Sequence, residues 1–186
     1  MEKIFTIVIL IVLFILPSSV RASQEAGSSA TLSPQMTEAL VDAYVERSIK
    51  RMVISEVLNK YNAPLASEVD GFMNACMAHD IDCYLLPSIA GLESSFGKYT
   101  YPQSHNPFGW GGGYIIFDTW EEGFMVVAKG LSENYIARGA DTIEKIGPIY
   151  AASPTWTQRV RFFQNEFDRV EAEKKGYFHE LALVSL

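Results

Sequence analysis

The sequence is poor in basic charge, in cysteine and in long apolar runs, and each shortage excludes something. It holds 15 Lys and Arg against 22 Asp and Glu. That acidity argues against a nucleic-acid partner, which calls for clustered Lys and Arg. Cysteine occurs twice, at Cys76 and Cys83, and no metal motif surrounds either residue. His79 and His105 stand alone, without a second ligand at metal spacing, so neither a metal nor another cofactor is expected. No serine sits in a nucleophile-elbow setting and no Gly-rich phosphate loop appears. The longest apolar stretch, Ile4 to Leu16, covers 13 positions and is interrupted only by Thr6. A bilayer-spanning helix needs about 20.

That short run has a different reading. Lys3 precedes it, Pro17, Ser18 and Ser19 break it, and Val20-Arg21-Ala22 then offers small residues on the near side of a cut. Residues 1–22 therefore read as a secretory signal peptide cleaved after Ala22, with an uncleaved short membrane anchor as the alternative. Either way the domain is expected to work outside the cytoplasm, in the periplasm, the cell envelope or the medium. Loss of Glu2, Lys3 and Arg21 takes the net charge from −7 to −8. Export permits a disulfide, and the proximity of Cys76 and Cys83 would let them staple a helix–helix turn. Two small buried apolar side chains are the other reading.

What remains is rich in core-forming residues, with 48% apolar and 12% aromatic. That composition describes one folded domain and not a disordered chain. Residues 23–33 are small and polar, a linker. Ser33-Pro34 then opens a helix that carries Met36, Leu40, Val41, Tyr44, Val45, Met52 and Val53 to about Lys60. A second helix is predicted from Pro64 to His79, with Val69, Phe72, Met73, Cys76 and Met77 facing inward. A third runs from Cys83 to about Ser95, with Asp82 as its cap and Leu85, Leu86, Ile89, Leu92 and Phe96 as its stripe. Tyr99 to Gly113 is irregular, and Tyr114 to Phe117 is the one convincing strand, half of a small hairpin. Thr119-Trp120-Glu121-Glu122 has the form of a capping box opening a fourth helix, closed near Gly139. Asp141 to Glu144 opens a short fifth, ended by Gly147-Pro148, and Ser153-Pro154 opens the last, which carries Trp156, Val160, Phe163, Phe167 and Val170. The fold class is mainly α with one small β element.

Glu93 is the first candidate for chemistry. It lies four residues after Ile89 and seven after Leu86, so it flanks the apolar stripe of its helix. It also falls in the last turn, where the helix dipole is negative. Partial desolvation and that dipole both disfavour a charged carboxylate, as a general acid working near neutral pH requires. An exposed glutamate near a helix end is the plain alternative.

The neighbouring motifs shift the balance. Glu93-Ser94-Ser95-Phe96-Gly97 is followed by Ser104-His105-Asn106-Pro107-Phe108-Gly109-Trp110. Then come Asp118-Thr119-Trp120-Glu121-Glu122-Gly123 and finally Tyr150-Ala151. In this order, over roughly Leu85 to Phe167, the series resembles the glucosaminidase-like family of the lysozyme superfamily, the mannosyl-glycoprotein endo-β-N-acetylglucosaminidase-like domain. The resemblance implies a lysozyme-like α fold over 34–170, several helices with a small β-hairpin beside a groove between two lobes. It implies cleavage of β-1,4 bonds in peptidoglycan glycan strands, the expected partner of a monomeric enzyme that meets a membrane only through an uncleaved N-terminus. Glu93 matches the family's catalytic acid and Tyr150 a tyrosine that commonly lines the site. Ser94, Asn106, Phe108 and Gly109 match the substrate-binding surroundings. Trp110 departs from the aliphatic residue usual after that glycine, and offers either a sugar-stacking face or a core side chain.

Glycoside hydrolysis normally uses two carboxylates. The family often places the second in the hairpin, but here Gly111 to Phe117 contains no acid. Asp118 is the nearest candidate, although it also suits a strand-to-helix turn. Glu121 and Glu122 read as first-turn charges on a helix N-terminus. A single-acid reaction is therefore open, with the substrate's N-acetyl group or its own hydroxyl as nucleophile. The expected activity is endo-β-N-acetylglucosaminidase. A lytic transglycosylase using the same Glu93, and a peptidoglycan-binding module without catalysis, are the alternatives. The tail 171–186 ends in an apolar Leu-Ala-Leu-Val-Ser-Leu with no assigned role. Mass spectrometry of the exported protein is expected to find Ser23 as its first residue, and retention of residues 1–22 would mark an anchor.

Overall fold

The computed structural model describes residues 33–184, with side chains through Glu180. The leader expected at 1–22, and all but the last residue of the expected linker, lie outside the described residues. Those residues contain six α-helices, three short 3-10 turns and no strand. The helices are α1 (Pro34–Lys60), α2 (Val69–His79), α3 (Leu85–Ser94), α4 (Trp120–Asn134), α5 (Ile143–Tyr150) and α6 (Trp156–Val184). None of them is long and apolar enough to cross a membrane.

The mainly α class holds, and α3 is the most completely buried helix, packed chiefly against α6. Leu85, Leu86, Pro87, Ser88, Ile89, Ala90, Gly91 and Ser94 are all buried. Each fully buried leucine or isoleucine contributes roughly 1.5–3 kcal/mol, so this short helix is held by packing and not by its own propensity. Gly91 is required by a close approach, since a Cβ there would lie 2.8 Å from the Phe96 ring. Phe96 in turn meets Phe163 and Phe167 of α6 edge-on. On the other side α2 packs on α4 through Phe72 and Phe124, stacked with centroids 4.1 Å apart.

Several elements differ from the sequence expectation, each for a physical reason. The stretch Tyr114–Phe117 is not a strand. Trp110–Gly113 forms a 3-10 turn in which Gly111 and Gly112 adopt left-handed angles, and this curls the chain away before any ladder forms. Only Phe117 is buried, its N–H donating to Ser104 O at 2.8 Å, while Tyr114, Ile115 and Ile116 stay exposed. The predicted second helix splits into a 3-10 turn at Pro64–Ser67 and α2, and Met77 is exposed. The third begins at Leu85, with the Asp82 carboxylate accepting from Tyr84 N at 2.9 Å in the turn before it. Helix α5 continues through Pro148 to Tyr150, because contacts made by Tyr150 hold its last turn.

The two longest helices are antiparallel partners. In α1 the buried positions are Ile49, Val53, Ile54, Val57 and Leu58. The expected apolar positions Met36, Leu40, Val41, Tyr44 and Val45 are exposed instead. Helix α6 does not stop near Val170 but runs on to Val184. Its Glu171 faces Lys50, and its Lys174 pairs with Glu56. Glu166 takes hydrogen bonds from Lys60 and from the Tyr61 hydroxyl. Burial resists ionisation of Glu166, but these two donors outweigh it and hold the carboxyl below the usual range.

At the other end of α2, the chain reverses through left-handed Asp80, and Cys76 and Cys83 are joined in a disulfide across that turn. The cross-link closes a short loop, for which chain entropy gives about 2.5 kcal/mol. A Cys76→Ser/Cys83→Ser double variant is expected to lose about that much unfolding free energy in urea, and an unchanged midpoint would contradict it.

Candidate active site

The last turn of α3 leaves the core just where Glu93 stands. Contrary to the desolvation expected from the sequence, Glu93 is exposed, the only such residue on an otherwise almost wholly buried helix. It opens into a cavity of about 450 Å³ bordered by Tyr99, Tyr101, Asn106, Gly109 and Tyr114. A second cavity of about 320 Å³, lined by Trp110, Tyr135 and Tyr150, adjoins the first at Gly109 and Gly112. Together they form a groove divided by the glycine turn, with Glu93 as the only charged side chain among the described residues that line it.

The two oxygens of the carboxylate have different surroundings. Oε1 accepts a hydrogen bond from Trp156 Nε1 at 2.7 Å. Oε2 lies against Gly109, where an added Cβ would sit 3.3 Å from it. Gly109 has φ of +63°, a left-handed angle, so both its backbone and its closeness to the acid call for glycine. Tyr150 stacks on the Trp156 ring with centroids 4.8 Å apart and donates its hydroxyl to Phe108 O at 2.7 Å. Burial, and after it the charge of Glu93, push the Tyr150 phenol well above its ordinary range, so it remains a donor. Burial raises Tyr135 as well.

The loop carrying Asn106 to Trp110 is fastened by side chains that the sequence places near the substrate. Ser94 is buried, donates to Pro107 O at 2.8 Å and accepts from Gly97 N at 2.9 Å. Asn106 is also buried, and its Oδ1 accepts from Trp110 N at 3.1 Å while Nδ2 donates to Trp110 O at 2.9 Å. The Phe108 ring is a core residue that meets Phe124 edge-on, and its carbonyl alone faces Tyr150. Trp110 is half-buried over Gly130 of α4, with Tyr135 and Tyr150 about 6 Å away, at 6.1 and 5.8 Å between centroids. Asp118 lies apart from the others. It is exposed at the start of α4, its N–H donating to Glu122 Oε2 at 2.6 Å, and it lines neither half of the groove.

The structure thus brings Glu93, Asn106, Gly109, Trp110 and Tyr150 together and leaves Asp118 outside. Sequence reasoning placed Trp156 on the apolar face of the last helix and gave no site role to Tyr99, Tyr101, Tyr114 or Tyr135. Three exposed tyrosines in a loop rich in Gly, Pro and Ser were a readable sign of a binding surface. Trp156, 63 residues beyond its partner, carried no such sign. Among the described residues no group of three or more His, Cys, Asp or Glu converges to hold a metal ion. No protein-family model matches the sequence, and no curated protein matches it.

Ser94→Ala removes the bonds to Pro107 O and Gly97 N and strands a buried backbone N–H. It is expected to lower stability by about 1–3 kcal/mol, measured by urea denaturation. A variant as stable as the parent would show that the hydroxyl does not fasten the loop.

Proposed function

We propose that this protein is an exported, lysozyme-like glycosidase that cleaves β-1,4 bonds of peptidoglycan glycan strands, with Glu93 as its general acid. The observation that carries the reading is a single carboxylate, fixed by an indole N–H, in a groove otherwise walled by tyrosines, glycines and neutral polar groups. Aromatic faces suit the apolar faces of sugar rings, and tyrosine hydroxyls and backbone amides suit their hydroxyls. The order of motifs from Glu93 to Tyr150 supports the same class. The Cys76–Cys83 disulfide suits an oxidising, extracytoplasmic compartment.

One acid in the groove restricts the mechanism. The carboxyl proton passes to the glycosidic oxygen as the bond from that oxygen to the anomeric carbon breaks, its electron pair leaving with the departing sugar. The acetamido oxygen of the N-acetylglucosamine residue forms the new bond to the anomeric carbon. Water then adds to that carbon, gives a proton to the Glu93 carboxylate and releases the acetamido group. This route needs no second carboxylate and produces a reducing N-acetylglucosamine end, the endo-β-N-acetylglucosaminidase outcome. The lone acid equally favours a second reading. Glu93 again protonates the glycosidic oxygen as its bond to the anomeric carbon breaks. The substrate's own 6-hydroxyl then bonds to that carbon and gives its proton back to the Glu93 carboxylate, and a lytic transglycosylase product with a 1,6-anhydro ring results.

Digestion of purified sacculi, with mass spectrometry of the new ends, separates the readings. Reducing N-acetylglucosamine ends mark the hydrolase and 1,6-anhydromuramic ends the transglycosylase. Binding without release marks a carbohydrate-binding module. Glu93→Gln is expected to lower release by at least about 100-fold, the scale of a general-acid contribution, with folding intact. Release at the parent rate would end the assignment.

A further inference from the structure

The contact between Trp156 and Glu93 carries an inference that rests on the glycosidase reading and deepens it. We propose that Trp156 is a positioning residue that makes the two oxygens of Glu93 unequal, reserving Oε2 as the proton-delivering atom. An indole N–H can donate but never accept. At 2.7 Å from Oε1, it therefore engages the carbonyl-type oxygen of a protonated Glu93 and leaves the hydroxyl on Oε2. That oxygen is the one against Gly109, a residue that lines both halves of the groove. A glycosidic oxygen reaching Oε2 passes a glycine, where any side chain would crowd it.

The indole is held so that it cannot follow the carboxylate. Trp156 is only 3% exposed and opens α6. One face stacks on Tyr150 at an interplanar angle of 27°. Its edge lies against Gly147, where a Cβ would be 3.1 Å from the ring. Tyr150 is in turn bonded to Phe108 O, in the same loop as Gly109. The contacts run from the loop to Tyr150, to Trp156, to Oε1, so the loop that approaches Oε2 also orients the carboxylate. A tryptophan that merely filled the core would need neither the N–H nor its direction.

The test uses the full-length protein on peptidoglycan, with Trp156 replaced by β-(3-benzothienyl)alanine, which keeps the ring shape but has sulfur in place of the N–H. Trp156→Phe and Glu93→Gln are measured alongside. The sulfur analogue is expected to lower kcat by about 10-fold or more, with KM within about twofold of the parent, because a hydrogen bond to a charged group is lost. Trp156→Phe, which also lacks the N–H, should lower kcat at least as far. A sulfur analogue with parental kcat overturns the positioning role, even where Glu93→Gln is inactive. An active Glu93→Gln overturns the glycosidase reading and this inference with it.

Discussion

The near-complete burial of α3 is the constraint on which the rest of the molecule depends. A ten-residue helix without a side-chain cap or helix-favouring charges would not persist alone in water. It exists because Leu85, Leu86 and Ile89 are enclosed by the surrounding helices and Gly91 lets the aromatic rings of Phe96 and Phe163 close over it. Its last turn has to surface somewhere, and it does so at Glu93. The acid thus stands on the most rigidly enclosed element of the fold while its carboxylate meets solvent. Preorganisation of this kind comes from the core, and the groove needs to add only the indole donor and the glycine turn.

Legibility in the sequence followed the range of the interactions. Local signals were readable. The Thr119 hydroxyl accepts from Glu122 N, as its capping pattern predicts, and α1 and α4 begin where caps and prolines mark them. In α5 the cap is Thr142, one residue past the Asp141 that the pattern marks, and α6 begins at Trp156, two residues past Pro154. Errors arose where a tertiary contact overrode a local rule. Pro148 should end α5, but Tyr150 is bonded to Phe108 O, 42 residues away. Tyr114 to Phe117 has the residues of a strand, yet left-handed Gly111 and Gly112 leave it no partner. The candidate acid was visible because a run of short motifs surrounds it. Its orienting partner was not, since nothing near Trp156 distinguishes a core tryptophan from one that donates to a carboxylate.

An exposed acid and a groove without a second charge divide the chemistry between protein and substrate. In the proposed reaction the protein contributes one proton-carrying group, its orientation and a set of aromatic walls, and the glycan brings the nucleophile. Ser94 and Asn106 belong to this arrangement indirectly. Their hydrogen bonds are spent on the backbone of Pro107, Gly97 and Trp110, so they define the groove's rim and offer it no free polar group.

The exposed first half of α1 has a mechanical consequence. From Pro34 to Ile49, the first buried residue of that helix, the rise of about 1.5 Å per residue spans roughly 20 Å. Along that length the helix rests on its own backbone hydrogen bonds more than on burial of side chains, so the two halves of one helix are held by different forces.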